Sequence, residues 1–396
     1  MDNSPTYFSR RAFLKGTAGA IAGAAIVGRA AESRAPRANV RDVNTISLEP
    51  QFYHGWPTLA RRRTGELIVA YSGGREAHIC PFGRVEMMIS RDNGATWSWP
   101  RILLDSAIDD RDAGILETSR GTLLVTSFTS LAYQAVLKTM EKKQEDGEGN
   151  KPDTERLQRW RLAEARCTAE QRQADLGQWM IRSTDGGMTW STRYPSIVNS
   201  PHGPVQLSDG RLLHAGKELW TGERRVGVCA SSDDGQSWQW LATIPVRPGD
   251  LAAQYHELHA VEAAPDKLIV HIRNENKSNA GETLQSESTD GGKTWSEPHS
   301  IGVWGLPSFL LSLRDGRLLM TYGYRRPPFG VQARVSDNHG ETWSEPIAIY
   351  TEGAGGDLGY PSTVELDDGS FVTVWYESVK APSRAQVRQA RWSLVG

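Results

Sequence analysis

An eight-residue motif, Ser-x-Asp-x-Gly-x-Thr-Trp, recurs along this chain and constrains its fold more than any other feature. It stands at Ser90–Trp97, Ser183–Trp190 and Ser288–Trp295. Looser copies stand at Ser231–Trp238, with Ser237 in the Thr place, and at Ser336–Trp343, with Asn338 in the Asp place. Asp and Gly suit a tight turn: the carboxylate accepts backbone N–H bonds, Gly takes the positive φ, and the Trp folds back beneath. Each box is therefore predicted to staple two outer strands of one sheet, and its aspartate to be structural rather than catalytic.

A second repeat interleaves with the first. Apolar strand, short turn, apolar strand recurs around Gly65, Gly121, Gly210, Asp266-Lys267, Gly316 and Gly369. From turn to box the spacing is 25, 21, 22 and 20 residues in the first, third, fourth and fifth units, and 62 in the second. The pattern predicts an all-β fold, a six-bladed β-propeller with four-stranded antiparallel blades over residues 38–396. The second blade carries an insertion, Tyr133 to Gly177, in which Thr154 to Ala174 reads as helix and Glu145 to Pro152 as a polar tip. The sixth unit lacks a box, so Gln386 to Leu394 is expected to pair with an N-terminal strand near Thr45 to Leu48 and close the ring.

Composition narrows the partners. A formal charge of −2 with scattered Lys and Arg leaves no basic footprint for nucleic acid. After residue 40 no stretch is apolar for long enough to span a bilayer. At the start, Ser9-Arg10-Arg11-Ala12-Phe13-Leu14-Lys15 followed by the Gly/Ala-rich run Gly16 to Gly28 reads as a twin-arginine signal over residues 1–37, and hence as export to the periplasm or medium. Cys80, Cys167 and Cys229 are too few and too dispersed for a disulfide framework or a cysteine zinc site. His256-x-x-His259 alone does not make a metal motif, so neither metal nor cofactor is expected.

Residues just before each inner strand converge on the propeller axis. They are Tyr53-His54-Gly55-Trp56-Pro57, Asp109-Asp110-Arg111-Asp112, Pro201-His202-Gly203, Tyr255-His256-Glu257-Leu258-His259, Trp304-Gly305-Leu306-Pro307 and Gly359-Tyr360-Pro361. Aromatic rings for sugar C–H faces, with carboxylate, Arg and His for hydroxyls, suit a glycan. Arg111 and the histidines His54, His202, His256 and His259 are thus candidate substrate contacts.

With these boxes and segments the chain resembles the bacterial sialidase (neuraminidase) family. The resemblance implies a Tyr nucleophile deprotonated by a Glu, an acid/base Asp, three arginines that clamp a substrate carboxylate, and a late Glu that orients the first. Tyr360 matches the nucleophile, and Glu257, five residues before Glu262, its base. Arg273 matches the second clamp arginine, Arg325 or Arg326 the third, Glu377 in Trp375-Tyr376-Glu377 the orienting Glu, and Arg75 an accessory arginine. Two family features are missing. Gly55-Trp56-Pro57 stands where the family has Arg-Ile-Pro, and no Asp lies between Arg75 and Arg84, which leaves Glu76 and His78 as acid/base candidates.

Each residue also has a structural reading: Tyr360 as an inner-strand aromatic, Glu257 as a hydrogen-bonded carboxylate, Arg273 as a bridge between blades. Three activities follow from the sequence. The first is an exo-acting glycoside hydrolase releasing a terminal acidic sugar; the second is a propeller lyase in which His or Tyr takes the proton beside a uronate carboxylate; the third is a glycan-binding propeller without catalysis.

Overall fold

Alternating apolar residues on either side of a Gly- or Asp-centred turn make each inner hairpin, and six such hairpins form the walls of the computed structural model. It describes residues 35–220, 223–379 and 384–396. The expected signal lies outside the described residues but for its last three positions.

Strand β1 (Arg37–Thr45) precedes blade 1: β2 (Tyr53–Arg61), β3 (Leu67–Arg75), β4 (Arg84–Ser90) and β5 (Arg101–Leu104). Blade 2 comprises β6 (Asp109–Glu117), β7 (Leu123–Ser130), β8 (Gln178–Ser183) and β9 (Tyr194–Pro195). Between β7 and β8 run helices α1 (Tyr133–Glu145), α2 (Lys151–Ala165) and α3 (Ala169–Asp175). Blade 3 holds β10 (Val205–Gln206), β11 (Leu212–Lys217), β12 (Val226–Ser231) and β13 (Gln239–Thr243), and blade 4 holds β14 (Tyr255–Ala264), β15 (Lys267–Asn274), β16 (Glu282–Ser288) and β17 (His299–Trp304). Blade 5 has β18 (Ser308–Ser312), β19 (Leu318–Tyr324), β20 (Gly330–Ser336) and β21 (Ile347–Tyr350), and blade 6 has β22 (Leu358–Glu365), β23 (Phe371–Ser378) and β24 (Ala385–Val395). The sheets are six, each four-stranded and antiparallel, as the repeats predict.

Ring closure differs in place from the sequence reading. The fourth strand of blade 6 is β1, paired with β24 from Arg37↔Val395 to Thr45↔Arg388, so the closing strand lies before Thr45 rather than from it. The segment at Thr45 to Leu48 is instead its tail, with the Ile46 N–H donating to the Val387 carbonyl at 2.9 Å. Strand β1 begins at Arg37, the last residue of the expected leader.

The insertion is more helical than expected. α1 occupies the stretch before the polar tip, and the predicted single helix is broken into α2 and α3, the latter started by a capping box at Thr168 and Gln171. Tyr133, Leu137, Leu157 and Trp160 form a small core of its own with Cys80 and Ile108 of the propeller.

The boxes work as the motif predicts. In the first, the Ser90 hydroxyl accepts from the Gly94 N–H at 2.8 Å, and Asp92 accepts from the Thr96 N–H at 2.8 Å and its hydroxyl at 2.6 Å. The tryptophans reach further than one sheet: Trp97 Nε1 donates to Gln389 of blade 6 at 2.9 Å, and Trp343 Nε1 to Gln285 of blade 4 at 3.0 Å. Trp295 packs in a cluster shared with blade 3. A box therefore locks its blade to the preceding one as well as closing its own turn.

Candidate active site

Four inner strands share one irregularity. Between Gly55↔Ser72 and Thr58↔Ala70, Arg111↔Phe128 and Gly114↔Thr126, His256↔Arg273 and His259↔His271, and Gly359↔Tyr376 and Ser362↔Val374, the inner strand carries one residue more than its neighbour. Within these bulges Trp56, Asp112, Glu257 and Tyr360 sit at φ of 53°, 47°, 48° and 53°. A side chain at positive φ costs on the order of 1–3 kcal/mol, and such outliers gather at functional sites. Bulges re-aim the residues they carry. These four come from blades 1, 2, 4 and 6, and each lies nine residues before its hairpin turn residue, Gly65, Gly121, Asp266 or Gly369.

The four bulges build one cluster. The Tyr360 hydroxyl donates a short hydrogen bond to Glu257 Oε1. Arg273 Nη1 reaches Glu257 Oε2 at 2.8 Å and the Tyr360 hydroxyl at 3.3 Å, while its Nε donates to Glu275 at 2.7 Å. Burial alone would raise the Glu257 carboxyl, but Arg273 and the Tyr360 hydroxyl hold it below its ordinary value, so it rests as carboxylate. Burial and the charge of Glu257 push the Tyr360 phenol well above its ordinary range. The pair is thus a protonated phenol aimed at a charged base. Arg325 lies 5.8 Å from the Tyr360 ring centroid, fixed by its Nε on the Leu358 carbonyl at 2.8 Å.

The sequence reading assigned no role to two of the four, Trp56 and Asp112. Burial pushes the Asp112 carboxyl up to about 7, against the pull of Arg111 and with the push of Glu257. The same nine-residue offset that marks Tyr360 marks Asp112, and that count is the signal by which the sequence points to it. Arg111 stacks over Trp56 at 4.6 Å, and the edge of Trp56 meets Tyr360 at 6.4 Å. His78 stands edge-on to Trp56 at 4.9 Å, with Nδ1 2.9 Å from the Tyr53 hydroxyl and 3.5 Å from Asp357. The Tyr376 hydroxyl donates to Asp357 at 2.8 Å. Tyr360, Glu257, Arg273, Arg325, Arg111 and His78 are therefore brought around one aromatic floor.

Other candidates go elsewhere. Arg75 is completely buried, its guanidinium bound to Asp109 at 2.5 and 3.0 Å, because blade 2 supplies a carboxylate that takes it away from any substrate. Glu377 pairs with Arg388 and accepts from the Tyr350 hydroxyl at 3.3 Å, so it orients no clamp arginine. Arg326 stacks on Trp304 at 3.8 Å, whereas Arg325 is the one beside the Tyr360 ring. Glu76 is held by the insertion: Arg159 Nε donates to one oxygen at 2.7 Å and Trp160 Nε1 to the other at 3.0 Å.

The histidines divide. His256 is half-buried beside Lys217, and burial followed by that charge keeps it below its ordinary value. His54 is completely buried against Tyr71 and Phe52 instead of facing substrate. His202 and His259 are buried with Phe309, the latter stacked at 4.4 Å, and burial keeps both neutral. They line a cavity of about 340 Å³ towards the far ends of the inner strands, where Glu117 is already paired with Arg62 and Glu262 with Ser208. Among the described residues both carboxylates of that cavity are engaged, whereas the Tyr360 end holds a phenol aimed at a charged base.

Residues 158–373 match the family of BNR repeat-like domains. No protein of curated function matches the chain. Among solved structures it is similar to a protein of unknown function from Dyadobacter fermentans DSM 18053, at 20% identity and a TM-score of 0.71, over 90% of this chain and 99% of that one. It is also similar to the Hadza microbial sialidase Hz136, at 17% and 0.59, over 85% of this chain and 65% of that one. A third is the intramolecular trans-sialidase from Ruminococcus gnavus in complex with oseltamivir carboxylate, at 15% and 0.57, over 86% and 94%. At these identities the likeness concerns the fold. With its repeated boxes, its six closed blades and a match across more than half its length, the chain belongs to the BNR repeat-like domain family, on the propeller fold that the sialidases share.

Proposed function

We propose that this protein is an exo-acting glycoside hydrolase of the sialidase type, releasing a terminal acidic sugar from a glycan with retention. The observation that carries this reading is the Tyr360–Glu257–Arg273 unit, in which a nucleophile, its base and a cation meet from two blades. In the first step the Tyr360 oxygen attacks the anomeric carbon and its proton passes to Glu257, while the bond to the leaving oxygen breaks. A neutral phenol avoids repulsion by a substrate carboxylate, and Arg273 stabilises the charge that develops on its oxygen. Asp112, held protonated by burial, gives its proton to the leaving oxygen. In the second step the Asp112 carboxylate takes a proton from water, the water oxygen displaces Tyr360 from the sugar, and Glu257 returns the proton to the phenol. Arg325, Arg273 and Arg111 would face the carboxylate, and Trp56 the sugar ring.

A second reading rests on His78, which shares the Tyr53 hydroxyl with Asp357 at the rim and is half exposed. A His–Tyr pair there suits a lyase that removes the proton beside a uronate carboxylate. The twin-arginine leader further supports export to the periplasm or medium. Incubating the purified protein with sialosides, other nonulosonosides and uronosides tests these readings together. Free sugar without new ultraviolet absorbance supports the hydrolase, an unsaturated product supports the lyase, and binding without turnover overturns both.

A further inference from the structure

We propose that Glu49, His54 and Glu86 form a binding site for a divalent transition-metal cation of the Zn²⁺ or Mn²⁺ type. The three residues come from separate elements: the segment that joins β1 to β2, β2 itself, and β4. One donor atom of each lies within 4.8 Å of the others. His54 and Glu86 are completely buried. Neither ring nitrogen of His54 has a hydrogen-bond partner among the described residues, and nor does Glu86 Oε2. Buried polar atoms are paired in the great majority of cases, so a His54 nitrogen and a Glu86 carboxylate oxygen left unmet at one spot point to a common partner.

Charge agrees with a cation. Two carboxylates face each other here, and Arg84 Nε meets only one oxygen of one of them, Glu86 Oε1 at 2.6 Å. Tyr71 and Phe52 pack on the His54 ring at 5.3 and 6.3 Å, which fixes its plane without satisfying its nitrogens. An imidazole nitrogen with two carboxylate oxygens suits Zn²⁺ or Mn²⁺; Ca²⁺ and Mg²⁺ favour all-oxygen shells, and Cu⁺ favours sulfur. Metal–ligand bonds near 2.1 Å in a tetrahedral shell separate donor atoms by about 3.4 Å, so the three side chains close by small rotations and water completes the shell.

The site is structural in its placement. It would cross-link the connection behind the closing strand to blade 1. His54 also adjoins Tyr53, whose hydroxyl meets His78 and Asp357, and precedes the bulge at Trp56. A bound cation would therefore brace both ring closure and one wall of the site, whatever reaction that site performs.

The test uses the full chain after treatment with a chelator and its removal, titrated with ZnCl₂, MnCl₂ and CaCl₂ by calorimetry and thermal unfolding. Saturable binding of one equivalent of Zn²⁺ or Mn²⁺, with a Tm raised by a few degrees at a hundredfold excess over Kd, is expected. Glu49→Gln, on a half-buried connecting segment, should fold normally and weaken binding tenfold or more; His54→Ala should abolish it. Should His54→Ala fail to fold, Glu49→Gln still decides the matter. Absence of saturable binding, a preference for Ca²⁺, or equal affinity in wild type and Glu49→Gln would overturn the proposal.

Discussion

The Tyr360 hydroxyl donates to Glu257 across 103 residues of sequence, and both residues sit at the same position of the same bulge in different blades. Tyr360→Phe removes only the hydroxyl, leaving the ring against Trp56 and Tyr376 and Glu257 still paired with Arg273. On a substrate that the parent cleaves, kcat is expected to fall about a hundredfold or more, about 2.7 kcal/mol in the barrier. Melting temperature should barely move. Near-parental turnover by this variant sinks the nucleophile assignment.

Asp112 carries a pH dependence of known sign. Its folded carboxyl titrates at about 7, above its unfolded value, so between about pH 4 and 7 the folded chain keeps a proton that the unfolded chain has lost. Stability from this group is complete at low pH and declines as pH rises through that window. Burial pushes Asp110 up to about 7 as well, so Asp112→Asn should remove part of the decline in Tm and leave the rest. If Asp112 is the acid, kcat/KM falls above about pH 7 and Asn at this position lowers it at all pH values. Retention of the full alkaline limb in Asp112→Asn, with its loss in His78→Ala, would transfer the role to His78.

The grip of the insertion on Glu76 separates structure from chemistry. Trp160→Ala empties a fully buried site in a small core and is expected to cost about 3–5 kcal/mol locally. Limited proteolysis should then nick residues 146–150, between α1 and α2, much faster than in the parent. Glu76→Gln keeps an acceptor for Trp160 and should change kcat less than about threefold. A hundredfold loss of kcat at unchanged Tm would instead return the acid role to Glu76.

Local chemistry made the fold legible. A box closes on itself within eight residues, Ser90 to Gly94 and Asp92 to Thr96, so its turn depends on nothing distant. Five boxes and six hairpin turns then set the blade number, and the family resemblance pointed to Tyr360 and Glu257, whereas Asp112 was given no role although it stands at the same offset of nine residues before its turn. What the sequence left open depended on which side chain arrives from another blade. Arg75 carries the same charge whether it faces a sugar or Asp109, and only the packing of blade 1 on blade 2 buries it in an ion pair. Glu377 and Arg388 meet because β23 and β24 are neighbours, and Glu76 meets Arg159 because α2 folds back over blade 1. Residue type and spacing thus determined the strands, the turns and the inventory of chemical groups. Tertiary structure decided which of those groups cancel one another in buried pairs and which remain free to act.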